Sequence, residues 1–67
     1  MIAYARYKYY NDFTAKLVGN EWHKVTKEYK EYRPSGLCNI IVINGLGVKE
    51  KHCEIVQVFN KEENNNV

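Results

Sequence analysis

The chain has one proline, two cysteines and no aliphatic run longer than the four residues Ile40–Ile43. Each scarcity excludes something. A membrane-spanning helix needs about 20 consecutive apolar residues, so a run this short excludes one. Cys38 and Cys53 are too few and too far apart in the chain to build a disulfide scaffold, and both are expected to stay thiols. The opening residues Met1-Ile2-Ala3-Tyr4-Ala5-Arg6 show no basic stretch followed by an apolar one, so a secretory signal is not expected and a cytoplasmic setting is. Charge of one sign is scarce too. The net charge is +2, and without Lys61, Glu62 and Glu63 residues 1–60 carry +3. The isoelectric point of about 8.6 lies below the value of about 9 that marks dedicated nucleic-acid binders. Nucleic acid is permitted as a partner but not strongly argued.

What the chain has is apolar and aromatic material. Hydrophobic residues make up 45%, with six Tyr, two Phe and one Trp, enough for a packed core. A chain of 67 residues builds one core at most. Cores of this size are commonly supplemented by a disulfide, a metal or self-association. The abundance of Lys, Asn, Ile and Tyr also suits an AT-rich genome, such as that of a low-GC bacterium, a phage or an archaeal virus.

Residues 2–10 are rich in Tyr and lack Gly and Pro, which predicts a strand. Asn11-Asp12 then reads as a turn, and residues 13–18 as a returning strand. A helix is the alternative over this stretch, because Ile2, Ala5, Tyr9, Phe13 and Leu17 fall near helical spacing ahead of Gly19. Trp22, Val25, Tyr29 and Tyr32, spaced three, four and three apart, predict a helix over residues 21–32. Asn20 would cap it, Glu21 would meet its dipole, and Arg33-Pro34-Ser35-Gly36 would end it. Residues 37–43 read as a strand, Asn44-Gly45-Leu46-Gly47 as a hairpin turn, and residues 48–59 as the return. With Gly45-Leu46 as the two-residue turn, Cys38 faces Cys53. With Asn44-Gly45 as the turn, Cys38 faces Lys51.

These elements give an α+β fold, ββαββ, with an antiparallel sheet packed on one helix over residues 1–59 and a disordered polar tail at 60–67. Alternation then places Cys38, Ile40 and Val42 with Cys53, Ile55 and Phe59 on the core face. Leu37, Ile41, Ile43, Val56 and Val58 fall on the opposite face, beside Asn39, Glu50, His52 and Glu54. One helix covers one face, so the second is expected to be covered by a protein partner or a second copy in a homodimer.

Catalytic and metal chemistry find little support. His23, Cys38, His52 and Cys53 lack the paired spacing of a zinc site, and neighbours His52 and Cys53 alternate to opposite faces of a strand. The same alternation argues against a Cys/His nucleophile pair, and Glu50 and Glu54 read as solvated carboxylates. Gly45-Leu46-Gly47 lacks the helix start and the Gly-Lys-Ser/Thr of a phosphate loop. No enzyme activity, cofactor or metal is expected. The Tyr4, Arg6, Tyr7, Lys8, Tyr9, Tyr10 cluster mixes aromatics and cations, as single-strand binders do and as protein interfaces do. The expected function is therefore a non-enzymatic interaction protein, of the accessory or inhibitory kind that phages and mobile elements carry. A nucleic-acid binder using the N-terminal strand is the alternative. The expected contact residues are Ile41, Ile43, Val56, Val58, His52, Tyr4, Arg6, Lys8 and Tyr10.

Overall fold

Three backbone positions with positive φ set the two hairpins at the centre of the chain: Gly36 at 114°, Asn44 at 49° and Gly45 at 77°. Asn and Gly tolerate this region better than other residues, and two consecutive positive φ values make the tight turn whose twist matches its flanking strands. Ile43 accordingly pairs with Leu46, so Asn44-Gly45 is the turn and Cys38 lies opposite neither Cys53 nor Lys51 but against Glu31. The computed structural model describes residues 2–58. Strand β1 spans Ile2–Tyr7, helix α1 Phe13–Val18, β2 His23–Arg33, β3 Gly36–Ile43, β4 Leu46–Lys49 and β5 Cys53–Val58, with a 3-10 turn at Glu50–His52.

The five strands form one antiparallel sheet in the order β4-β3-β2-β1-β5. The first and last strands of that order are joined by the three residues of the 3-10 turn. In a flat sheet they would lie about 19 Å apart, four spacings of about 4.8 Å, while a connection this short reaches about 14 Å at full stretch. The sheet must therefore roll. The core follows from the roll: Ala5 and Tyr7 of β1, Ile41 and Ile43 of β3, Val48 of β4 and Cys53 of β5 pack together, and Val18 of α1 closes over them.

The expected ββαββ arrangement with one packed helix is overturned. Strands hold 61% of the described residues and helix, the 3-10 turn included, only 16%, so the sheet supplies its own second wall. Of residues 21–32, expected as a helix, all but the first two lie in the longest strand, His23–Arg33. Val25 pairs with Ile43 on the core side, a bulge follows between Val25 and Lys27, and Tyr29 then pairs with Ile40 on the opposite face. With this bulge the spacing of four from Val25 to Tyr29 joins the two faces of a strand, where a helix would put both residues on one. Pairing with β3 along its whole length outweighs the weak helix preference of a Thr- and Tyr-containing segment. Residues 13–18, expected as a strand, form the short helix instead, because the Asp12 side chain accepts a 2.7 Å bond from the Ala15 N–H and caps it. Asn20 caps no helix; its amide donates to the carbonyls of Tyr7 and Tyr9, both at 2.8 Å.

The expected faces of β3 are exchanged as well, whereas Cys53 lies in the core and Val56 and Val58 are exposed on the other face, as expected. Ile41 and Ile43 are 1% and 0% exposed and belong to the core, while Cys38 and Val42 point away from it. Ile40 also points away and is still fully buried. A Cβ on Gly47 would lie 2.9 Å from the Tyr29 hydroxyl and 3.3 Å from Ile40 Cγ2, so Tyr29 lies across this glycine and roofs Ile40. Lys27 Nζ stands 5.7 Å from the Tyr29 ring. Phe59 and the expected disordered tail 60–67 lie outside the described residues. Among the described residues no helix is long and apolar enough to cross a membrane.

The molecule measures 45 × 25 × 17 Å. Eleven residues of β2 at about 3.3 Å each account for most of the long axis, so the β2–β3 hairpin is an arm reaching past the core.

Candidate interaction surface

Antiparallel pairing of β1 with β5 sets Ile2 against Val58, Tyr4 against Val56 and Arg6 against Glu54. Period-two alternation puts all six on the face away from the core, because Ala5, Tyr7 and Cys53 point into it. Lys24 pairs with Tyr4 from the other side. Trp22, just before β2, lies under the Arg6 guanidinium, 4.8 Å from its ring centroid. Trp22, Val56 and Val58 are 45%, 44% and 48% exposed. The two regions singled out in the sequence, the tyrosine-rich first strand and the valines near residue 57, thus form a single surface through Tyr4, Arg6, Val56 and Val58.

Arg6 is the charged centre of this face and it is already engaged. Its Nη2 and Nε both donate to Glu54 Oε1, at 2.7 and 3.1 Å. With both side chains more than a third exposed the pair adds little stability, but it orients the guanidinium over Trp22 and offsets its charge. The surface is therefore apolar and aromatic with a neutralised centre. Among the described residues, strand β5 is also an outer strand of the sheet, with one row of backbone groups unpaired by any other described strand.

The other expected contact residues lie elsewhere. Ile41 and Ile43 are core residues and contribute nothing to a surface. Tyr10 is exposed beyond the end of β1. Lys8 is tied by its backbone N–H to the His52 carbonyl at 2.9 Å. His52 belongs to an aromatic cluster, its ring edge-on to Tyr9 at 5.2 Å and to Tyr7 at 6.4 Å. Trp22, assigned in the sequence to a helix face, is the residue that sequence reasoning missed. Its adjacency to a cap-like Asn20 concealed it.

Around the cluster, Tyr7 donates its hydroxyl to Asp12 Oδ2 at 2.7 Å. Burial raises the Tyr7 pKa, with the bond to Asp12 second, and that bond in turn holds the Asp12 carboxyl below its usual 3.8. Burial pushes His52 below its usual 6.5, helped by Lys49 and Lys51, and pushes the Cys53 thiol above 9.0. His23 Nε2 lies 2.6 Å from the Val18 carbonyl, which only accepts, so the proton is on Nε2. Cys38 and Cys53 are free thiols, and among the described residues no three His, Cys, Asp or Glu side chains are grouped to hold a metal.

These directions set a stability profile. His52, lowered on folding, favours the folded state above pH 6.5 and that contribution is lost as pH falls through its folded value; Asp12 behaves alike below 3.8. Cys53 and Tyr7, raised on folding, contribute below 9.0 and 10.0 and are lost as pH climbs through their folded values. Thermal midpoints should be level from about pH 6.5 to 9 and fall on both sides. A midpoint still rising as pH drops from 6 to 5 would contradict the assignment for His52.

Compared with known proteins, the chain matches no family model, no curated protein and no solved structure. What the protein does has to be read from its own surfaces.

Proposed function

We propose that this domain is a non-enzymatic interaction module that binds a protein strand along β5, with Trp22, Tyr4, Val56 and Val58 as the contacting side chains. The supporting observation is the coincidence of an unpaired outer strand with exposed valines and a clamped tryptophan beside it. Strand addition takes its affinity from main-chain bonds and its specificity from alternate side chains, and this ribbon offers both. Trp and Arg are also the residue types that carry most energy at protein interfaces. The Arg6–Glu54 pair favours a protein over a nucleic acid here, since a phosphate backbone would have to compete with that carboxylate.

The test uses Val56→Lys and Trp22→Ala against Lys27→Ala, at the position beside the Tyr29 ring that is paired with Val42 of β3. Proteins retained by the immobilised wild-type chain should bind both surface variants at least about tenfold more weakly and the control equally well. Equal retention by all forms would sink the proposal. Sedimentation of the purified protein over a concentration series tells whether the added strand comes from a second copy.

A further inference from the structure

Around His52 the fold gathers cations from three separate segments. Lys49 ends β4 and Lys51 lies within the 3-10 turn, Lys8 follows β1, and Arg33 closes the long arm of β2. Arg33, Lys49 and His52 line, with Tyr7, Thr14 and Val48, an open cleft of about 210 Å³. Such a volume is several times the roughly 30 Å³ that a water molecule occupies in the liquid.

We propose that this cleft binds a phosphate-type oxyanion, held by Arg33 and Lys49 with the His52 ring beside it. The site lies apart from the β1–β5 face, so it stands or falls independently of the strand-binding reading. Two carboxylates, Asp12 and Glu31, offset part of its positive charge. Asp12 faces His52, but one of its oxygens accepts from the Tyr7 hydroxyl and the other from the Ala15 N–H. Glu31 accepts from Arg33 Nε only, leaving the remaining guanidinium donors for an oxyanion, which they suit by their planar fork. Glu50 does not line this cleft; with Lys49 and Lys51 it lines a second one. The groups facing His52 are thus Lys8, Lys49, Lys51 and Arg33 as cations, Asp12 as the anion, and the Tyr7 and Tyr9 rings. Lys8, Lys49, Lys51 and Arg33 outnumber Asp12 and Glu31, and an excess of fixed positive charge is what a phosphate neutralises.

The same charge arrangement makes His52 a reporter. Burial and then the neighbouring lysines hold its pKa below the usual 6.5, and a bound dianion opposes the lysine contribution. The experiment follows the His52 ring carbon-bound protons by NMR across pH, in inorganic phosphate and in chloride at matched ionic strength, with a short single-stranded oligonucleotide as a third arm. Phosphate should move the His52 titration midpoint upward while His23 stays in place, and an Arg33→Gln, Lys49→Gln double variant should abolish the movement. Lys51→Gln alone should weaken it, which covers the case of a double variant that fails to fold. Movement with phosphate alone assigns a small phosphorylated ligand, and movement with both assigns the phosphate group wherever it is carried. Equal midpoints in phosphate and chloride, or a movement that survives in the variants, would overturn the site.

Discussion

Ile43→Ala should unfold most of the protein at 25 °C, while Val58→Ala should leave its urea midpoint in place. Ile43 is 0% exposed, is flanked in the ladders by Val25 and Leu46, and joins β3 to the core shared by both outer strands. Truncating a buried isoleucine costs about 2–5 kcal/mol through lost transfer energy and the cavity left behind. A core of this size supplies only about 3–5 kcal/mol in total, so one such loss takes most of it. Val58 is half exposed at the end of β5, where truncation moves stability by about 0.5 kcal/mol or less. Far-UV circular dichroism in a urea series reads both. A normal midpoint for Ile43→Ala would remove this residue from the core and reinstate it as a surface contact.

The second large effect is expected at Tyr7, where two replacements separate packing from hydrogen bonding. Tyr7 is 5% exposed, lies in the core cluster and meets Tyr9 edge-on at 5.7 Å. Tyr7→Ala should cost about 3–5 kcal/mol, as aromatic core truncations do. Tyr7→Phe keeps the ring and removes only the bond to Asp12, the first cause of that carboxyl's lowered pKa. Its stability should therefore be less sensitive to acid, because less Asp12 contribution remains to be lost below pH 3.8. Denaturant midpoints at pH 7 and pH 3 for wild type and Tyr7→Phe decide the point. An identical acid loss in the two proteins would show that the hydroxyl does not stabilise the Asp12 carboxylate.

The strands most readable in the sequence were those with the strongest local signal. Tyr-rich β1, the apolar stretch ending at Ile43 and the Asn44-Gly45 turn are carried by β propensity and turn chemistry. The errors come from two places where period-two alternation slips by one residue. The bulge after Val25 moves Tyr29 to the opposite face, so a spacing of four that reads as one helix face joins two faces of a strand. The 3-10 turn at Glu50–His52 does the same to the last strand: Val48 points into the core, and so does Cys53, five residues on. Neither slip leaves a Gly or Pro in the chain at that point, so local chemistry does not announce it. The contact residues divided along the same line. Tyr4, Arg6, Val56 and Val58 lie on uninterrupted strands and came together, whereas Ile41 and Ile43 were given the wrong face because the slip after Lys49 was not visible.

The rolled sheet also bears on how the chain reaches its native state. Two-residue turns close β2 onto β3 and β3 onto β4, so those ladders join near neighbours in sequence. The β1–β5 ladder instead joins Ile2 to Val58, across nearly the whole described chain. The entropy of closing that loop must be met before its contacts reward it, which places the interaction surface among the late-forming, non-local parts of the fold. The strand on which binding is proposed is thus also the one whose native pairing is kinetically most remote.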